Sequence, residues 1–225
     1  MISITDNITR LQSTLPDHCQ LVAVSKTKPI DRLMQAYEAG VRDFGENKAQ
    51  EMTDKQEQMP PDVRWHMIGH LQRNKVKYLA PFVHLIHSVD SLRLLKEIEK
   101  QGKKIERKID CLLQVHIAQE EDKFGLSEEE LFEILSGEDL PKMQFVNITG
   151  LMGMATFTDD DAQKRREFQF LKSLFERVSA LPDLPPHISM QTLSMGMSGD
   201  YKMALEEGST MVRIGTTIFG ERDTH

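Results

Sequence analysis

A lysine closing an apolar strand is the first residue in this chain with the chemistry to react. In LVAVSKTKP, Leu21 to Pro29, small and branched apolar residues run into two lysines one threonine apart. Strand alternation puts Val22, Val24 and Lys26 on one face and Leu21, Ala23 and Ser25 on the other. Lys28 has left the strand beside Pro29. An amine withdrawn from water holds its proton less tightly, and a neutral amine attacks a carbonyl carbon to form a Schiff base. The same stretch also fits a surface lysine at a strand end, and alone it does not separate the two.

Two later stretches could hold an anion. LSMGMSGD, Leu193 to Asp200, offers the hydroxyls of Ser194 and Ser198 and glycine N–H groups, and a short helix over 201–207 would follow it. VRIGTTIFG, Val212 to Gly220, offers Gly215 and Thr216, with Arg213 sharing a strand face with Met211. An arginine inside an apolar strand needs a partner, either a ligand or a neighbouring carboxylate. FGEN, Phe44 to Asn47, ends a strand on a carboxylate and an amide. WHMIGHLQRNK, Trp65 to Lys75, passes Gly69 and His70 before entering a helix, with His66 read as a hydrogen-bonded core residue. The eight histidines show no HExxH or His-x-His spacing, so no metal site is expected, and GMSGD is not the GxSxG elbow of a serine hydrolase.

The elements that must position these residues alternate. Strand candidates lie at 21–25, 43–45, 64–68, 85–88, 109–117, 148–152, 190–193 and 211–214. Between them run stretches of helical period such as 30–38, 91–101 and 162–181, and a helix over 4–11 precedes the first strand. Eight strand–helix units without an internal linker predict one domain over 1–225, a single (β/α)8 TIM barrel in the α/β class. An open doubly wound sheet would want a glycine-rich first turn, and SKTKP has none. In a barrel the chemistry sits where strands end, and the turns after strands seven and eight lie side by side where phosphate binds.

Composition narrows the function. Of 225 residues, 39% are hydrophobic and 28% charged, with a formal charge of −7, which argues against a nucleic-acid footprint. Cys19 and Cys111 form neither a disulfide framework nor a zinc pattern. No signal-peptide core and no membrane-length apolar run is visible, so a cytoplasmic location and no membrane partner are expected.

AVSKTKP, FGENKAQE, WHMIGHLQRNK, GLMGM, LSMGMSGD and GSTMVRIGTTIFG, in this order, resemble the pyridoxal phosphate homeostasis proteins, the alanine racemase-like family, from about Leu21 to Arg222. The resemblance implies a barrel like the N-terminal domain of alanine racemase, holding pyridoxal 5′-phosphate (PLP) as a lysine aldimine. By motif, that lysine is Lys26. The phosphate contacts fall on Ser194, Ser198, Gly215 and Thr216, Arg213 falls beside the pyridine nitrogen, and Asn47 lies near the cofactor. The family's role implies a non-catalytic protein that buffers, protects or delivers PLP, with apo PLP-dependent enzymes as transient recipients and a monomeric state. A weak amino-acid racemase using Lys26 and a Schiff-base aldolase for a phosphorylated sugar are the rivals. Racemisation wants a second base, and of the three tyrosines only Tyr201 is placed to approach the cofactor, from the phosphate end.

Overall fold

The computed structural model describes residues 3–120 and 124–221. In chain order the elements are α1 (Ile4–Gln12), β1 (Gln20–Val24), α2 (Ile30–Glu38), β2 (Asp43–Glu46), α3 (Ala49–Gln56), β3 (Arg64–Met67), α4 (Val76–Leu79), β4 (Leu85–Val89) and α5 (Leu92–Lys104). They continue with β5 (Ile109–Gln114), α6 (Glu128–Ser136), β6 (Val146–Met152), α7 (Asp161–Ser179), β7 (Ile188–Ser194), α8 (Tyr201–Glu206), β8 (Met211–Ile214) and α9 (Thr216–Phe219). The eight strands close into a barrel in sequence order, every neighbouring pair parallel. The expected fold is therefore the observed one.

Alternation separates two cores. Ala23, Phe44, Trp65, Ile86, Cys111 and Leu113 face outward into the layer between sheet and helices. The helices meet them with stripes such as Phe168, Leu171, Leu174 and Val178 of α7, all fully buried. Inside the barrel Val22, Leu85, Leu112, Met152 and Met211 form a smaller apolar cluster. That cluster fills only part of the lumen, and the remainder is polar.

Strand limits differ from the sequence expectation mainly at β5 and β7. β5 ends at Gln114 because the chain then turns onto the Leu126 segment, where His116 N–H donates to the Leu126 carbonyl. β7 runs from Ile188 through Ser194, so Ser194 belongs to the strand and not to the loop after it. Between β6 and β7 the register slips at Gly150, whose backbone has φ +158° and approaches the Thr192 carbonyl so closely that any Cβ would overlap it. Only glycine fits there. No helix among the described residues is long and apolar enough to cross a membrane.

Candidate functional site

A cavity of about 580 Å³ opens at the carboxyl ends of the strands. Its wall includes Lys26, Asn47, Ser198, Arg213, Gly215 and Thr216, six of the seven residues expected from the sequence, carried by β8 and by the turns after β1, β2, β7 and β8. Gly69 also lines it. A Cβ there would lie 2.4 Å from the Asn47 carbonyl oxygen, so glycine lets the turn after β3 pack against the turn that presents Asn47.

Lys26 is half-buried and follows β1 on the inward face, as alternation requires. Both of its chain neighbours are gripped by one charged cluster. Ser25 Oγ donates to Glu46 Oε1 at 2.6 Å, and the Ser25 carbonyl accepts from Lys55 Nζ at 2.8 Å. Lys55 also donates to Glu46 and Glu51, at 2.8 and 2.7 Å. On the other side Thr27 N–H donates to Glu51 Oε1 at 2.5 Å. Thr27 has φ +64°, a conformation that costs a non-glycine residue about 1–2 kcal/mol and persists only where neighbours enforce it. Glu46 is fully buried, and burial, outweighing the opposing pull of Lys55 and Ser25, pushes its carboxyl up to about 6. Its Oε2 has no hydrogen-bond partner among the described residues. The FGEN carboxylate is visible in the sequence, whereas Lys55 is not, because it sits on a short and largely polar helix. The i,i+4 pair Glu51–Lys55 beside a strand-end glutamate was the available signal.

On the neighbouring wall, after β7 and β8, the donors converge. Gly215 N–H and Thr217 N–H both point at Ser198 Oγ, at 3.3 and 3.4 Å. These distances exceed an ordinary N–H···O contact, so one hydroxyl oxygen loosely occupies a position that two N–H groups define. Thr216 and Gly199 flank it, and nothing lies within 4 Å of where a Gly199 Cβ would stand. A tetrahedral oxyanion suits such a set of donors.

Ser194 is a correction. It does not line the cavity but is fully buried beneath it, accepting from Arg213 at 2.6 Å and facing His87 Nδ1 at 3.0 Å. Its position as the last residue of β7 puts it one layer below the rim, a depth that sequence alternation does not report. Arg213 donates also to the Gly153 carbonyl at 3.1 Å and makes no ion pair within 4.0 Å with a described carboxylate. Of the two partners foreseen for it, the carboxylate is absent among the described residues and the cavity is present. Burial lowers its guanidinium to about 10, still charged at neutral pH.

The mouth is apolar. Phe157 is 96% exposed, and Phe124, Met154 and Met197 share the rim with it. His70 stacks on Phe124 with ring centres 3.9 Å apart and pairs with Asp90 at 3.0 Å. Tyr201 is a second correction: it is not part of the cavity wall, and its hydroxyl faces Thr14 at 3.4 Å. Tyr37 donates to Asp62, and Tyr78 is half exposed beside Lys75 and Lys77. Lys28 lines the cavity too, but its amine is tied to the Glu221 carbonyl at 2.8 Å.

At the opposite end of the barrel the fold gathers Asp43, His66 and His84, whose ligand-type atoms lie within 4.8 Å of one another. They come from β2, β3 and the residue before β4, so no linear motif announces them. Arg64 places two nitrogens on the two Asp43 oxygens, at 2.8 and 2.6 Å, where a cation would otherwise sit.

Fold and site together define a (β/α)8 barrel with a strand-end lysine facing an oxyanion cradle. The alanine racemase N-terminal domain family matches residues 2–223. The chain is 36% identical over 239 aligned residues to the pyridoxal phosphate homeostasis protein of Vibrio alginolyticus, covering 99% of both chains. PipY of Synechococcus elongatus, solved with PLP bound, superposes with a TM-score of 0.87 at 34% identity, covering 97% of this chain and 100% of PipY. Alanine racemase of Clostridium difficile shares the fold at TM-score 0.77 and 12% identity, with 57% of its length covered. The chain belongs to the alanine racemase N-terminal domain family and, within it, to the pyridoxal phosphate homeostasis proteins.

Proposed function

We propose that this chain is a single-domain cytoplasmic PLP-binding protein that holds the cofactor through Lys26 and releases it, without turning over a substrate. The observation that carries this is the placement of Lys26, its backbone clamped on both sides, on the same open cavity as a convergent donor cradle. The residues present fit the group. Ser198, Gly215 and Thr216 would hold its phosphate, Arg213 would face its ring nitrogen, and Asn47 would lie along its side. When bound, PLP supplies an aldehyde carbon that combines reversibly with an amine.

The protein's own residues do the rest. The Glu46–Lys55–Glu51 cluster fixes the turn from which the Lys26 side chain rises, so little conformational freedom is lost on binding. Arg213 can only donate hydrogen bonds, so a ring nitrogen placed opposite it would accept one and stay unprotonated, and the ring would be a weaker electron sink. The Phe124 and Phe157 rim leaves the mouth open for exchange with recipient apo-enzymes.

Amino-acid racemisation is the second reading, because the fold is shared with racemases. It needs a second base opposite the lysine, and no tyrosine is among the described residues of the cavity wall. The deciding experiment incubates PLP-loaded protein with alanine in heavy water and follows the α-proton by NMR, beside Lys26→Ala. Carriage predicts exchange no faster than with free PLP. Exchange at an enzymatic rate that disappears in the variant would make the protein a racemase.

A further inference from the structure

The polar part of the barrel lumen is one continuous chain of side chains. Arg213 on β8 donates to Ser194 Oγ at the end of β7, at 2.6 Å. Ser194 Oγ faces His87 Nδ1 on β4 at 3.0 Å, His87 Nε2 faces His66 Nδ1 on β3 at 2.9 Å, and His66 Nε2 faces Asp43 Oδ1 at the start of β2 at 2.9 Å. Ser194, His87 and His66 are fully buried, and Arg213 and Asp43 nearly so. One end lines the carboxyl-end cavity. At the other end Asp43 and Arg64 line a groove of about 290 Å³ with Leu15 and Asp17.

With one proton on each imidazole, the two ends order every proton between them. A guanidinium has no acceptor, so Arg213 must donate to Ser194. The Asp43 carboxyl stays ionised: burial favours its neutral form, but Arg64 and His66 together hold it well below the usual carboxylate range. It therefore only accepts, and His66 must carry its proton on Nε2. With a single proton per ring, His66 accepts at Nδ1, which requires His87 to donate from Nε2 and to accept at Nδ1 from the Ser194 hydroxyl. Burial, with the Arg213 guanidinium nearby, holds the His87 imidazole neutral. All four hydrogen bonds point the same way, and a single donor-to-acceptor polarity runs the length of the barrel.

We propose that Ser194, His87, His66 and Asp43 are positioning residues for Arg213. Through this one-way chain the carboxylate at the far end fixes the guanidinium in one orientation, as a donor toward the ring nitrogen of bound PLP. The inference rests on the PLP reading above for what Arg213 faces, but the proton order is a property of the protein alone. A chain of polarised bonds strengthens each member, and a break at any link leaves a buried group unsatisfied.

The test has two arms. The first is long-range 1H–15N NMR of the histidine rings in the full chain without PLP at pH 7. The chain requires His66 and His87 to be neutral with the proton on Nε2, and an Nδ1–H tautomer or an imidazolium at either position overturns it. The second arm loads PLP labelled with 15N in the ring onto wild type, His87→Phe and His87→Gln. Phenylalanine cuts the chain, whereas the glutamine amide offers one acceptor and one donor in its place. The ring-nitrogen resonance should shift in the phenylalanine variant and return toward the wild-type position with glutamine. An unshifted resonance in a folded, loaded His87→Phe protein refutes the positioning role. Failure of wild type to take PLP onto Lys26 sinks the PLP reading instead, and the tautomers then decide the proton order by themselves.

Discussion

Replacing Lys55 by methionine removes the ammonium that ties Glu46, Glu51 and the Ser25 carbonyl together while keeping most of the buried stem. Glu46 ordinarily titrates near 4.5 and here near 6, so at pH 7 its burial already costs about 2 kcal/mol. Without Lys55, the first of the groups that pull it back down, its carboxyl rises further and the buried group takes a proton more readily. Full protonation at pH 7 caps the electrostatic cost at about 3 kcal/mol, about 1 kcal/mol beyond what the wild type already bears. The orphaned Ser25 carbonyl adds about 1–2 kcal/mol. The expected loss is about 3 kcal/mol, at the lower end of what breaking a buried pair costs.

The sign with pH follows from the same values. A carboxyl raised by folding favours the fold while protonated, so this contribution is present below about 4.5 and lost as pH rises through about 6. At pH 5 Glu46 is mostly protonated in both proteins, so the gap between them should narrow by about 1 kcal/mol. Trp65, the one tryptophan and nearly fully buried, reports urea unfolding by fluorescence at pH 5 and pH 7.5. A loss under about 1 kcal/mol at pH 7.5, or a gap that widens in acid, would refute the clamp around Lys26.

Two further outcomes are expected. Asp43 is held low by Arg64 and His66 against the effect of burial, so its contribution is present above about 3.8 and is lost as pH falls below that; Asp43→Asn should be less stable at pH 7 by about 1–2 kcal/mol and lack that acid-side decline in denaturation curves. Burial raises the Cys19 thiol to about 11 and Cys111 further still, so neither should react with a thiol reagent in the native protein at pH 8, and both should react once it is unfolded in urea.

The barrel was legible because each strand is a short apolar run and each helix carries its own stripe, as α7 does with Phe168, Leu171 and Leu174. Alternation likewise placed Lys26 and Arg213 inside, since Val22 and Met211 precede them on the same faces. What alternation lacks is depth along the barrel axis. It could not tell that Ser194 lies a layer below Ser198, nor that His66 and His87 meet across adjacent strands. Lys55 was hidden for another reason: a lysine on a short polar helix looks solvated until the strand-end Glu46 is seen beneath it. Tyr201 was placed near the phosphate end by proximity in sequence, whereas the first turn of α8 aims its ring toward α1.

The most direct measurement of the central claim is borohydride reduction of the PLP-loaded protein followed by peptide mass spectrometry. Reduction makes the lysine–cofactor bond permanent, so the modified peptide names the residue. One cofactor per chain is expected, on Lys26, with Lys26→Ala left unmodified. Label on Lys28, label scattered over surface lysines, or a Lys26→Ala protein labelled as fully as wild type would contradict it.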